Sequence, residues 1–245
     1  HSLSQGRAPG GHHAKTFFQP HAVPGMPATI KALPATGRAE SYLAIDSEAG
    51  LVAAAQFGSL EFHPWGAKRE TPDFPDRLVL DLDPADEVPF KRVKSAARLV
   101  RDVLSAGAVT SFPLLTGGKG IHVVAPLDQT RPWSEVTAFA RALADRLARA
   151  QPALFTARAT KARRTGRIYV DWQRNREAAT AIAPWSLRAR PGAPVACPVS
   201  WEELSRIDSA SAYDLVRARR RITALKRDPW EGYGQMRQNV PDLLD

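Results

Sequence analysis

One cysteine, Cys197, stands in 245 residues. That excludes an internal disulfide and any zinc site built from thiolates of one chain, and a reducing cytoplasm fits best. The thiol itself, in Val195-Ala196-Cys197-Pro198, reads as a small semi-buried apolar residue, because nothing in sequence suggests a base to activate it. No apolar run nears the roughly 20 residues that span a bilayer, and no basic amphipathic helix stands alone as an anchor, so no membrane partner is expected. Internal repeats and low-complexity tracts are missing, as is the phosphate loop G-x-x-x-x-G-K-[ST]. The chain opens at His1 with neither an initiator Met nor a signal-peptide pattern, which reads as a fragment or a trimmed domain. Acids are the minority charge, 25 against 34 Lys and Arg, for a net charge of +9. Such an excess favours a polyanion, nucleic acid before anionic lipid.

Hydrophobic residues make up 44% of the chain, enough for a sizeable core in one large domain or two small ones. Residues 1–40, rich in Gly, Pro and His, read as loops ahead of a folded body over 41–245. Strands are predicted at Tyr42–Ile45, Leu60–His63, Leu78–Asp83, Phe112–Leu115, Ile121–Val124 and Ile168–Trp172, with Thr180–Ala183 a neighbour of the last. A short helix is predicted over Leu51–Phe57. Longer amphipathic helices are predicted over Phe90–Leu104, with Phe90, Val93, Ala97, Val100 and Leu104 on one side, and over 133–149, with Val136, Ala140, Leu143 and Leu147. The basic face of the first, Lys91, Arg92, Lys94, Arg98 and Arg101, reads as a solvated face. Trp201–Lys226 is helical in composition. Strands and helices together predict a mixed α+β domain.

Leu80-Asp81-Leu82-Asp83-Pro84 places two carboxylates at i, i+2 of a strand, so Asp81 and Asp83 leave one face while Leu80 and Leu82 enter packing. Paired acids repel each other and resist desolvation until a cation or proton compensates them, which points to a divalent metal; a solvated strand end is the alternative. Asp171 likewise closes an apolar strand, and three such acids can hold two Mg²⁺ or Mn²⁺ ions roughly 3.5–4 Å apart, as phosphoryl displacement requires. Pairing with Arg174 would instead make Asp171 structural. Thr116-Gly117-Gly118-Lys119-Gly120 offers backbone N–H groups without side-chain bulk and one cation, a cradle for phosphate oxygens or a plain hairpin turn. His122 follows directly, in a neighbourhood that favours function over simple packing.

These blocks, with Val170-Asp171-Trp172, Thr180 to Arg190, Glu61-Phe62-His63-Pro64-Trp65 and Phe17-Phe18-Gln19, resemble in order the polymerase domain of bacterial ligase D, a branch of the archaeo-eukaryotic primase superfamily. The resemblance runs from about Arg7 to about Arg237. It implies a primase-like α+β fold, with mixed and antiparallel sheets flanked by helices, and a repair polymerase of non-homologous end joining at the bacterial nucleoid. In that reading Asp81, Asp83 and Asp171 hold two Mn²⁺ (or Mg²⁺) ions. His63, Thr116, Gly117, Lys119, His122, Arg174 and Arg188 contact an NTP or dNTP. Phe17 and Phe18 stack on the template, while Lys161, Arg163 and Arg190 lie along DNA at gapped or broken ends. A Ku-like partner and fused or separate ligase and nuclease domains are also implied. The family's further N-terminal basic segment, which takes a 5′-phosphate, is expected to be missing, Pro20 replaces a usual Lys, and Gly6 stands where some members carry a basic residue.

Three other readings compete. A primase is disfavoured because its usual zinc knuckle needs more than one cysteine. A two-metal nuclease suits the Gly-Gly-Lys turn less well than a triphosphate enzyme does. A non-catalytic end-bridging module would need only the basic surface.

Overall fold

A computed structural model describes residues 2–8, 17–33 and 42–242. Two sheets and four helices organise it. The first sheet contains β1 (Ser2–Arg7), β2 (Phe17–Gln19), β3 (Lys31–Leu33), β4 (Tyr42–Ala44) and, after helix α1 (Glu48–Gln56), β5 (Ser59–Pro64). β5 pairs antiparallel along one edge of β1, while β2 and β4 share the other edge and β3 pairs with β4. Residues 1–40 are expected to be loops; the strands Ser2–Arg7, Phe17–Gln19 and Lys31–Leu33 correct that among the described residues, and 9–16 and 34–40 lie outside them. Ser-Leu-Ser-Gln-Gly-Arg has little apolar character of its own, and its strand conformation is fixed by partners on both edges.

The second sheet holds β6 (Arg77–Pro84), β7 (Phe112–Leu115), β8 (Ile121–Pro126), β9 (Phe155–Thr156), β10 (Ile168–Asp171) and β11 (Cys197–Pro198), in the order β11-β7-β8-β6-β10-β9. Every pair is antiparallel except β10 with β9. Period-two alternation divides its faces. Leu78, Leu80 and Leu82 of β6, Ile121 and Val123 of β8, and Ile168 and Val170 of β10 join one core. That core also takes Val93, Ala97, Val100 and Leu104 of α2 (Phe90–Ala106), and Val136, Ala140, Leu143 and Leu147 of α3 (Trp133–Ala150). The opposite face, carrying Asp81, Asp83, His122 and Asp171, turns away from α2 and α3 and becomes the site.

Three further expectations are revised. Thr180–Ala183 forms no strand beside β10; it lies on β5, with Ala183 N–H donating to Phe62 O at 2.8 Å and a bridge between Thr180 and Trp65. The Trp201–Lys226 tail is helical only in a short 3₁₀ turn at Glu203–Arg206 and in α4 (Leu215–Ala224), because Ser209 and Asp214 side chains draw local backbone N–H groups into turns and a cap. Lys94 does not join the solvated face of α2: it is buried, and its ammonium donates to Ser205 O at 3.0 Å and Ile207 O at 2.6 Å. Cys197 is buried in the core, as its apolar setting suggested. Among the described residues no helix is long and apolar enough to cross a membrane.

Candidate active site

Strand register assembles the acids. Asp81 faces Asp171 across the β6–β10 pair and His122 across the β6–β8 pair, and Asp83 lies two residues farther on the same face. Asn175, in the 3₁₀ turn Trp172–Asn175, fixes this junction from the side: its amide accepts from Val79 N–H and donates to Val79 O, both at 2.7 Å, and donates to Trp172 O at 2.9 Å. The Asp171 carboxylate is held by Gln173 N–H at 3.0 Å and by the Tyr169 hydroxyl at 3.2 Å.

Basic side chains already lie against the three acids. Arg174 Nε is 3.3 Å from both Asp81 and Asp171, Arg164 is 2.6 Å from Asp83, and His122 Nε2 is 3.4 Å from Asp81. Burial pushes the Asp81 carboxyl up, but His122 and Arg174 outweigh it and hold the group at about 2. Asp83 goes the other way: burial raises its pKa, the Asp81 and Asp171 charges add to that, and Arg164 only partly offsets them. A carboxylate raised by its acidic neighbours marks a spot where more positive charge would be favourable. Hard oxygen donors on one face therefore fit Mn²⁺ or Mg²⁺ in chemistry. Among the described residues no group of three or more His, Cys, Asp or Glu side chains is placed to hold a metal ion, and arginines lie against all three acids.

A cleft of about 590 Å³ opens over this face. Asp81, Asp83, His63, Thr116, Lys119, His122, Arg174, Arg188 and Arg190 line it together. The Thr116–Gly120 turn is a shaped wall rather than a row of free donors: Gly117, at φ +68°, gives its N–H to Ala210 O at 3.0 Å, and Gly118 gives its N–H to Thr116 Oγ1 at 3.3 Å. The expectation of consecutive free N–H groups is corrected accordingly, and Gly117 does not line the cleft. Lys119 pairs with Asp86 at the rim.

Across the cleft, β5 presents Glu61 and His63. Glu61 Oε2 lies 2.8 Å from His63 Nε2, while Oε1 accepts from Arg188 Nε at 3.1 Å and from Ala189 N–H at 2.8 Å. Arg188 also donates to Thr116 O at 2.7 Å, so the β5 wall and the Gly-rich turn are joined. Burial works against the Glu61 carboxylate, yet His63 and Arg188 hold it at about 2. His63 is lowered mainly by burial, with Glu61 pulling it back up. Phe18 stands edge-on to His63, ring centroids 4.9 Å apart, and is 62% exposed; Phe17, 47% exposed, lies under the Arg7 guanidinium.

Not every expected residue reaches this cleft. Asp171 touches it through Arg174, and Arg163 is exposed outside its lining. The Lys161 side chain lies outside the described residues. Glu61 and Arg164 were missed as site residues. The i, i+2 spacing of Glu61 and His63 in a strand was a usable signal; nothing local announces that Arg164, 81 positions from Asp83, meets it.

The family described as LigD, primase-polymerase domain, matches residues 1–230. The multifunctional non-homologous end joining protein LigD of Pseudomonas aeruginosa is 38% identical over 237 residues, which are 96% of this chain and 28% of that protein. The multifunctional non-homologous end joining DNA repair protein LigD of Mycobacterium tuberculosis is 36% identical over 208 residues, covering 81% of this chain and 27% of that protein. The bifunctional LigD of Bacillus subtilis is 30% identical over 200 residues, covering 81% and 32%. The chain thus spans less than a third of the length of these relatives. The polymerase domain of M. tuberculosis ligase D, solved in complex with DNA, matches with a TM-score of 0.86 and 32% identity, covering 98% of this chain and 85% of that one. The fold is the primase-like α+β fold that the sequence motifs implied.

Proposed function

This chain belongs to the LigD primase-polymerase family, and from that premise we propose that it is a DNA repair polymerase, adding ribo- or deoxyribonucleotides to a primer 3′-hydroxyl at gapped or broken duplex ends during non-homologous end joining. One observation carries the reading. Asp81 and Asp83 line a cleft together with Lys119, Arg164, Arg174, Arg188 and Arg190, and Asp171 faces Asp81 across the paired strands beneath it.

In this reading Asp81, Asp83 and Asp171 would hold two Mn²⁺ or Mg²⁺ ions. When bound, such ions lower the pKa of the primer hydroxyl and neutralise charge on the transferring phosphate. The chain's own groups do the positioning. Lys119, His63 and Arg188 face the triphosphate, where negative charge accumulates as pyrophosphate leaves. The Thr116–Gly120 turn limits how the phosphates can enter, and Arg174 is close enough to the acids to meet the sugar or triphosphate beside them. No side chain is needed as nucleophile, because the primer hydroxyl attacks the α-phosphate. Phe17 and Phe18 offer exposed π-faces on which template bases stack without sequence preference. Arg163, Lys161 and Arg190 supply sequence-independent attraction to DNA. Ligation, end trimming and recruitment by a Ku-like partner fall to other domains or chains.

The test is extension of a labelled primer on a gapped duplex with NTPs or dNTPs and Mn²⁺. Growth by one or more template-directed nucleotides is expected. The ion pairs that Arg164 and Arg174 make with the acids favour one second reading, a non-catalytic end-bridging module. Retained DNA binding with no extension under any divalent ion would replace the polymerase by that module.

A further inference from the structure

We propose that Glu61 is a positioning residue for nucleotide binding: one buried carboxylate, using both oxygens, aims His63 and Arg188 together at the triphosphate. The inference rests on the polymerase reading for what enters the cleft. Its own basis is geometric. Oε2 is committed to His63 at 2.8 Å and Oε1 to Arg188 at 3.1 Å and to Ala189 N–H at 2.8 Å. The last bond fixes the backbone that carries Arg188, so Glu61 sets the place of that arginine as well as its orientation. Arg188 then reaches Thr116 O at 2.7 Å, which carries the constraint to the Gly-rich turn. His63 receives Phe18 on its ring, which carries the constraint to the exposed template-facing strand.

The surroundings leave little room for another arrangement. Glu61 is 7% exposed, and a Cβ at Gly6 on the paired strand would lie 2.8 Å from Glu61 Cβ. Gly6 is thus the residue that lets β1 close over Glu61. Ser186 Oγ accepts from Phe62 N–H at 2.9 Å, holding β5 against the 186–190 segment from the other side. The charged groups acting on His63 are Glu61 from its own strand, Arg188 from that segment and Arg174 from the turn after β10. Only Glu61 favours the imidazolium; both arginines oppose it. Without Glu61 the ring loses its hydrogen-bond partner, and the His63 and Arg188 side chains facing the triphosphate lose their common anchor.

Glu61→Gln keeps the size and one acceptor while removing the charge. Three readouts apply: the His63 imidazole titration by NMR, assigned with His63→Gln; the binding of a fluorescent triphosphate analogue without primer; and steady-state extension. The expected result is a His63 midpoint lower by about one pH unit. Analogue affinity should weaken and nucleotide KM rise by about tenfold, with kcat within about threefold of wild type. Glu61→Asp keeps the charge but shortens the reach, so it should restore most of the titration and little of the affinity. A wild-type midpoint and a wild-type KM in Glu61→Gln would overturn the inference. If Glu61→Gln fails to fold, an unchanged KM in folded Glu61→Asp would overturn it equally. The titration and analogue binding need no polymerisation, so they can succeed where extension fails, and extension can succeed where they fail.

Discussion

Gly120→Ala should damage the site through a single methyl group. Gly120 leads from the Thr116 turn into β8, and the next residue, Ile121, pairs with Leu82. A Cβ at position 120 would lie 2.4 Å from Leu82 O, 3.3 Å from the Leu82 carbonyl carbon and 3.6 Å from Asp81 Oδ1. The closest approach is about 1 Å inside ordinary contact, and the atom it meets is backbone, so no rotamer change relieves it. Gly120 cannot simply slide away either, since its carbonyl accepts from Thr116 N–H at 3.3 Å and Thr116 Oγ1 at 2.9 Å. Overpacking against an unyielding strand costs about 2–3 kcal/mol. In a domain of this size that lowers Tm by about 4–12 °C. Because the displaced strand carries Asp81 and Asp83, extension should also fall, by about tenfold or more. Gly234→Ala is the control: nothing lies within 4 Å of its Cβ position, and Tm should stay within about 2 °C. Thermal unfolding followed by circular dichroism, with extension measured well below Tm, gives both quantities. A Gly120→Ala protein as stable and as active as wild type would refute the claim that β6 and β8 are locked at this spacing.

Asn175→Ala should cost about 2–5 kcal/mol by urea unfolding, because it strands the buried N–H and C=O of Val79; a loss below about 0.5 kcal/mol would mean that water or another side chain replaces the amide. Cys197, fully buried and with its thiol pushed up to about 12 by burial, should resist an aromatic disulfide reagent at pH 8 in the native state and react on unfolding; rapid native reaction would contradict its placement. Affinity for a gapped duplex should fall steeply, by about tenfold or more, between 50 and 200 mM salt; a flat response would remove the phosphate-tracking role given to Arg163 and Arg190.

The parts of the fold visible in sequence are those decided by local periodicity. Leucine at 78, 80 and 82 alternating with aspartate at 81 and 83 defines a strand and its faces, and the apolar spacing of α2 and α3 defines helices and the side they bury. In the first sheet β4 and β5 were legible, whereas β1, β2 and β3 were hidden because they are short or polar and exist through pairing: Ser4 and Gln5 of β1 are strand residues because His63 and Phe62 lie beside them. Lys94 shows the limit of reading charge as exposure, since its ammonium satisfies the carbonyls of Ser205 and Ile207, far along the chain. Within the site, Asp81, Asp83, His122 and Lys119 were legible from two neighbouring motifs that β6–β8 pairing brings together. Arg164 was not, because its partner Asp83 lies 81 positions away, and of Glu61 only the i, i+2 relation to His63 was legible, its other partner Arg188 lying 127 positions away. Gly117 was read as a phosphate donor, and only tertiary structure reveals that Ala210 takes its N–H.

Single-nucleotide extension by Asp81→Asn, Asp83→Asn and Asp171→Asn tests the central claim most directly. Each substitution keeps side-chain shape and removes one negative charge from the shared strand face. With folding verified by Tm and DNA binding retained, each variant should extend a gapped primer about 10²-fold or more slowly than wild type in Mn²⁺. Wild-type rates in all three would contradict the assignment of these carboxylates as the centre of nucleotidyl transfer.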